Sequence, residues 1–105
     1  MTTPNAHVRI AAIGDLHVSK TSQGAFHTLF SQINNSADVL VLCGDFTDYG
    51  LPEEARILTR ELTASVKIPV VAVLGNHDYE AGKEEEITQI LRDAGITVLD
   101  AVIIA

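Results

Sequence analysis

Apolar residues along this chain follow two alternating patterns: short dense runs, and longer stretches in which they recur every three or four positions. The dense runs Val8–Ile13, Val39–Cys43 and Val70–Leu74 are rich in Val, Ile and Leu, the composition of strands buried in a parallel sheet. Each is closed by a glycine (Gly14, Gly44, Gly75) that lets the backbone turn sharply. Between the first two runs, Phe26, Leu29, Phe30 and Ile33 repeat at i, i+3, i+4 and i+7, placing one apolar stripe on a covering helix, with His27 off the stripe. A second helix is expected from Pro52, a favourable first-turn residue, to about Ser65, burying Ala55, Leu58 and Leu62. A third has Glu84, Glu85 and Glu86 at its positive end, Ile87, Ile90, Leu91 and Ala94 on its apolar face, and Gly95 as its stop. Ile96–Leu99 reads as a fourth strand, after which Val102–Ala105 resumes as an apolar run.

The alternation predicts an α/β fold of β-α-β units around a mostly parallel sheet, in one domain covering 1–105. A chain of 105 residues with 47% hydrophobic and 20% charged residues has the composition of a folded domain with a modest core. Its last apolar run breaks off without a turn or cap, which reads as truncation, and the unfinished edge invites self-association or pairing with a missing C-terminal half. The polar start Met1–Ala6 and the lack of an apolar run near ~20 residues predict neither a signal peptide nor a membrane span, with the cytoplasm as the default location.

A net charge of −7 disfavours a broad grip on nucleic acid or an anionic membrane. It does not exclude a phosphate substrate, because two divalent ions held by Asp15, Asp45, Asp48 and Asp78 would offset four charges and reverse the local field. One cysteine rules out an internal disulfide and a multi-cysteine zinc site, and Cys43, inside an apolar strand, is expected to be a buried inert thiol.

Parallel strands joined by helical crossovers direct their C-terminal ends to one edge, where ligands of open α/β sheets bind. Three polar clusters fall there: Asp15-Leu16-His17, Gly44-Asp45-Phe46-Thr47-Asp48 and Gly75-Asn76-His77-Asp78. In an extended segment Asp15 and His17 face the same side and can grip one ion together. The set offers oxygen and nitrogen donors without thiolate, which suits Mn, Fe or Zn better than Ca. Singly, each cluster is an ordinary loop; jointly, three of them just past three strands of one sheet mark a functional site.

In this order, Asp-x-His, Gly-Asp-x-x-Asp and Gly-Asn-His-Asp resemble the opening three motifs of the calcineurin-like metallophosphoesterase superfamily. The resemblance spans Arg9 to Leu99 and amounts to the front half of a family α/β sandwich, without the later lone-His and Gly-His-x-His motifs. It implies two divalent or trivalent transition-metal ions (Mn, Fe or Zn), with Asp15 and His17 on the first, Asp45 bridging, and Asn76 on the second. It further implies that His77 faces the leaving group as a proton donor or charge stabiliser, that Asp48 orients it, and that a phosphate ester is hydrolysed by in-line attack of activated water. Protein phosphatases of the superfamily carry an arginine and a glutamate where this chain has Tyr49 and Asp78, so the pattern looks closer to phosphodiesterase-like members. Asp78 is read as either an acid that orients a ligand or the first polar residue of a loop. Tyr49 is read as lining the substrate groove or, in slight preference, packing under its loop.

Two other classes compete: a metallophosphoesterase-like scaffold or inactive fragment that binds proteins without hydrolysis, and a single-Mg²⁺ switch or nucleotide-binding domain. The second lacks a Gly-x-x-x-x-Gly-Lys-Ser/Thr loop and a Gly-x-Gly-x-x-Gly turn. His7, His27, Asp93, Asp100 and the glutamate run 84–86 read as solvated surface.

Overall fold

The computed structural model describes residues 7–22 and 24–99. Four parallel strands, β1 (Ile10–Ile13), β2 (Val39–Cys43), β3 (Val70–Val73) and β4 (Thr97–Val98), form one sheet in the order β1-β2-β3-β4. The register pairs Ile10 with Val39, Leu40 with Val70 and Val71 with Thr97. Helices α1 (His27–Ser36), α2 (Pro52–Ser65) and α4 (Glu84–Asp93) cross over between successive strands, and a single turn, α3 (Asn76–Tyr79), precedes α4. The expected strands and long helices are all present, with β1, β3 and β4 shorter than their apolar runs; α3 was absent from the sequence reading. Asp100 and the apolar run Val102–Ala105, with its unfinished edge, lie outside the described residues, as does Met1–Ala6.

Because each crossover moves one strand along in the same direction and takes the same right hand, the three long helices fall on one face of the sheet. Leu40, Leu42, Val70, Ala72 and Val98 point into that layer and are buried against Phe30, Leu58, Leu62, Ile87 and Leu91 of the helices, with α2 packed between α1 and α4. On α1 the buried stripe runs through Phe30, Ile33 and the following Ala37, while Leu29 remains 39% exposed, off the expected line.

The opposite face corrects the expectation of a sheet buried on both sides. Ile10, Ala12 and Cys43 are exposed, and Val39, Val41, Val71 and Val73 are only half-buried. Parallel sheets are normally covered on both faces, and here the apolar sequence of these strands is satisfied by one layer among the described residues. Cys43 is thus not the buried thiol that its apolar strand suggested: as the last residue of β2 it alternates onto the bare face.

Candidate metal centre

The site is built by the loops that leave β1, β2 and β3 at their C-terminal ends. Among the described residues the strand order does not reverse, so the loops themselves must converge to form the site. The first two are laced together by main-chain hydrogen bonds, in which the amides of Asp15, His17 and Val18 donate to the carbonyls of Gly44 (3.3 Å), Asp45 (3.0 Å) and Phe46 (2.8 Å). A parallel bridge between Val18 and Thr47 continues the pairing, and the Asp48 amide donates to the Val18 carbonyl at 3.0 Å.

Asp15, His17 and Asp45 all have left-handed backbone, with φ of 55°, 48° and 50°. Such conformations are uncommon outside glycine and cluster at functional sites, where the surrounding structure over-determines them. The segment Asp15–His17 is therefore not extended, as its spacing suggested. The two side chains nevertheless meet, with His17 Nε2 3.8 Å from Asp15 Oδ1.

Asp78 joins the second loop to the third. Its side chain has no solvent access; Oδ1 accepts from the Thr47 amide (2.9 Å) and hydroxyl (2.5 Å), and Oδ2 accepts from the Gly75 amide (2.8 Å). The Asp78 carboxylate is a buried tie between the second and third loops, which sets aside the reading of it as a plain polar loop residue. Asp45 crosses the same gap, accepting the His77 amide on Oδ1 at 2.8 Å. Gly75 has ordinary φ, so backbone freedom does not explain it. A Cβ there would lie 2.6 Å from both the Asp45 amide nitrogen and Oδ1, so glycine is required by close approach.

Within this frame His17, Asp48 and His77 each offer a ligand atom, all within 4.8 Å of one another. His17 Nδ1 is 3.6 Å from Asp48 Oδ1, and the two imidazoles meet edge to face at 4.6 Å between centroids. Asp15 borders this trio through His17, Asp45 through the His77 amide, and Asn76 is exposed at the start of α3 on the same rim. Asp15, His17, Asp45, Asp48, Asn76 and His77 thus lie on loops at one edge, and among the described histidines and acids the compact donor group contains Asp48 and His77 but not Asp45. These carboxylate, imidazole and amide donors fit a hard to borderline transition-metal ion.

Asp48 and His77 do interact, through the main chain: His77 Nδ1 donates to the Asp48 carbonyl at 2.8 Å, while the Asp48 carboxylate faces His17. That hydrogen bond raises the His77 pKa above the ordinary imidazole value, with the negative charges of Asp45, Glu80 and Asp48 adding to it and desolvation opposing. Glu80, 3.8 Å from His77 Nδ1, was missed by the sequence reading, as were Thr47 and Glu54, whose carboxylate accepts the Tyr49 (2.9 Å) and Leu51 (3.1 Å) amides. Asp78 and Glu54 each stand three residues after the residue that precedes a helix, the reach-back position of a capping box, and that spacing was the available signal. Tyr49 is 59% exposed, which removes the reading in which it packs under its loop. His7, His27 and Asp93 are exposed as expected, whereas Glu84 is only partly so, with Oε2 shielded from solvent and unpartnered.

A parallel α/β sheet with carboxylates and imidazoles converging at its C-terminal edge is an arrangement that can hold a metal ion. The family model for calcineurin-like phosphoesterases matches residues 8–100, nearly the whole described chain, and the chain belongs to that family. It is similar to UDP-2,3-diacylglucosamine hydrolase from Shewanella sp. (strain W3-18-1) and to the same enzyme from Shewanella putrefaciens (strain CN-32 / ATCC BAA-453). Each is 30% identical over an alignment of 105 positions that takes in 90% of this chain and 41% of the relative. The chain therefore spans less than half the length of these curated relatives. Among the described residues no helix is long and apolar enough to cross a membrane.

Proposed function

We propose that this chain is the N-terminal part of a metal-dependent phosphoesterase domain that uses two transition-metal ions (Mn, Fe or Zn) to hydrolyse phosphate esters, diesters in preference, in the cytoplasm. The observation that carries the reading is the convergence of three loops on one cluster, with ligand atoms of His17, Asp48 and His77 within 4.8 Å and Asp15, Asp45 and Asn76 on its rim. Asp15, His17, Asp45 and Asn76 would hold the ions, with Asp45 shared because a carboxylate has two oxygens and a charge to offset two cations. The ions, when bound, supply Lewis-acid polarisation of the phosphoryl oxygens and an activated water.

The chain's own residues supply positioning and a proton. His77 is held by its amide on Asp45 and its Nδ1–H on the Asp48 carbonyl, which leaves Nε2 as the free ring nitrogen. With Nδ1–H engaged by the Asp48 carbonyl, a proton carried on Nε2 is the one that can pass to the departing alkoxide oxygen. Asp78 and Gly75 keep the second and third loops close enough for both contacts. A second reading, a non-catalytic scaffold, draws support from the bare apolar face of the sheet, which suits binding rather than chemistry. Among the described residues β4 is an edge strand, which suits pairing with a second copy or with a C-terminal half.

The test is Mn²⁺-dependent hydrolysis of a chromogenic phosphodiester and its monoester analogue by this chain, with Asp45→Asn and His77→Ala beside it. Expected are a diester/monoester ratio above one and losses of about 100-fold or more in both variants, the range for general acid catalysis and ligand loss. Hydrolysis that persists in both variants overturns the site assignment; none in the parent chain shows that this stretch alone is not an enzyme and leaves the function of the longer domain standing.

A further inference from the structure

On the loops that carry the candidate metal centre lies a pocket of about 220 Å³ lined by Ser19, Lys20, Thr21, Tyr49, Leu51 and Glu54. It opens from the loops that carry the site: Ser19 is two residues past His17, and Tyr49 directly follows Asp48. Larger hollows of about 360 and 570 Å³ lie elsewhere, between β3, β4 and α4 and at the opposite edge of the sheet near Pro69 and Ile96. We propose that the pocket is a specificity subsite that takes a single neutral ring, an aryl group carried by the phosphate ester, and that Tyr49 is its deciding residue. This rests on the phosphoesterase reading and names the kind of substrate that the site accepts.

The floor of the pocket is built rather than incidental. The Glu54 carboxylate, 1% exposed, fastens the amides of Tyr49 and Leu51, the two residues that form the apolar wall. Between them Gly50 presses on the third loop so closely that a Cβ would lie 2.6 Å from the His77 carbonyl oxygen and 3.0 Å from that of Asp78. The backbone of Tyr49 is therefore held between the Asp48 carbonyl bonded to His77 and Gly50 packed against the third loop, which fixes where its side chain leaves the main chain. An exposed aromatic ring beside an apolar hollow offers a large surface with few rotatable bonds, the kind of side chain that anchors a ligand at low entropic cost.

Size and charge select the occupant. A dry apolar cavity of ~150 Å³ holds benzene, and drug-sized sites begin near ~300 Å³, so a pocket of this volume suits one ring. The walls are the Tyr49 ring, Leu51 and the aliphatic stem of Lys20, whose ammonium is drawn toward Glu53 Oε2 at 3.5 Å. The hydroxyls of Ser19 and Thr21 face each other at 3.1 Å and Ser19 meets Ser22 at 3.1 Å, so they are engaged within the rim. The Glu54 carboxylate is 1% exposed and engaged by two amides, so the pocket offers an occupant a mostly apolar lining that suits a neutral ring and leaves the phosphoryl group to the candidate metal centre.

The test uses this chain with ring-labelled tyrosine, followed by NMR, since Tyr49 and Tyr79 are its two tyrosines. In the metal-free chain, phenol is expected to shift the Tyr49 ring signals and leave those of Tyr79 in place. With Zn²⁺ present, phenylphosphonate is expected to bind at least about fivefold tighter than methylphosphonate, from the added apolar burial. Tyr49→Ala should bring the two phosphonates within about twofold, and Tyr49→Phe should keep the preference. Phenol shifts at Tyr49 without phosphonate binding would uphold the ring pocket and count against the phosphoesterase reading. Equal binding of the two phosphonates by the parent chain, or phenol shifts confined to Tyr79, would overturn the subsite while leaving the metal cluster standing.

Discussion

Replacing Asp78 by asparagine keeps the size of the side chain and removes its charge at a position with no solvent access. The carboxylate accepts three hydrogen bonds, from the Thr47 amide at 2.9 Å, the Thr47 hydroxyl at 2.5 Å and the Gly75 amide at 2.8 Å. An amide has one acceptor oxygen; turned toward Thr47, it presents NH₂ to the Gly75 N–H, and a buried donor is orphaned at about 1–3 kcal/mol. The two Thr47 bonds lose their charge assistance, about 1 kcal/mol each, and relief from burying an anion returns part of the loss. The net is about 2–3 kcal/mol, which for a domain of this size lowers Tm by roughly 10–20 °C. Circular dichroism is the suitable probe, because the chain has no tryptophan. Since Asp78 spans the loops that carry Asp45, Asp48, Asn76 and His77, Mn²⁺ affinity of the folded variant should also fall by about 10–100-fold. An asparagine variant that melts within about 3 °C of the parent and binds Mn²⁺ as tightly would refute the view that this buried carboxylate assembles the site.

Gly75→Ala tests close approach without backbone strain, because φ at this position is ordinary and only the Cβ contacts at 2.6 Å oppose it. It is expected to cost about 2 kcal/mol by overpacking and to weaken Mn²⁺ binding by displacing Asp45, read by urea denaturation and calorimetric titration; a neutral result would show that the two loops can part freely. In the metal-free chain, held in chelator, the His77 ring protons should titrate above the ordinary imidazole value because of the Asp48 carbonyl and the nearby acids. The folded pKa is raised, so protonation of His77 favours folding fully below the unfolded imidazole pKa, and that contribution disappears as pH rises through the folded value. Glu80→Gln should move the titration down, and a parent His77 that titrates at or below the ordinary value would contradict the geometry.

The strands and long helices were legible because each rests on a local pattern. Dense Val/Ile/Leu runs mark strands, Pro52 fixes the start of α2, and Gly95 follows the end of α4. The one-turn α3 was not legible, since Asn76-His77-Asp78-Tyr79 has no apolar period; it forms because Asp78 reaches back to the Gly75 amide. Burial of Cys43 was misread because periodicity gives the face of an element but not whether a second layer covers that face, and Leu29 because the buried stripe of α1 runs through Phe30, Ile33 and Ala37 beside it. The site residues were recognisable as clusters after strands. Their contacts were not, because those depend on how three loops from different strands are tied together, and the ties run through Thr47, Asp78 and Gly75 rather than through the donors alone.

The left-handed backbone at Asp15, His17 and Asp45 gives those ties an energetic purpose. Non-glycine residues in that region cost of order 1 kcal/mol or more each, and glycine would relieve the cost at any of the three positions. Glycine cannot supply a carboxylate or an imidazole, so the loops keep the strained residues and the surrounding structure must hold them. The main-chain bonds from Asp15, His17 and Val18 to the second loop, together with the Asp45–His77 and Asp78–Thr47 contacts, oppose relaxation of these turns. Stability at this edge is therefore spent on presenting donors, and a substitution that loosens the ties should release the strained loops and scatter the donors while the helices and strands beneath remain folded.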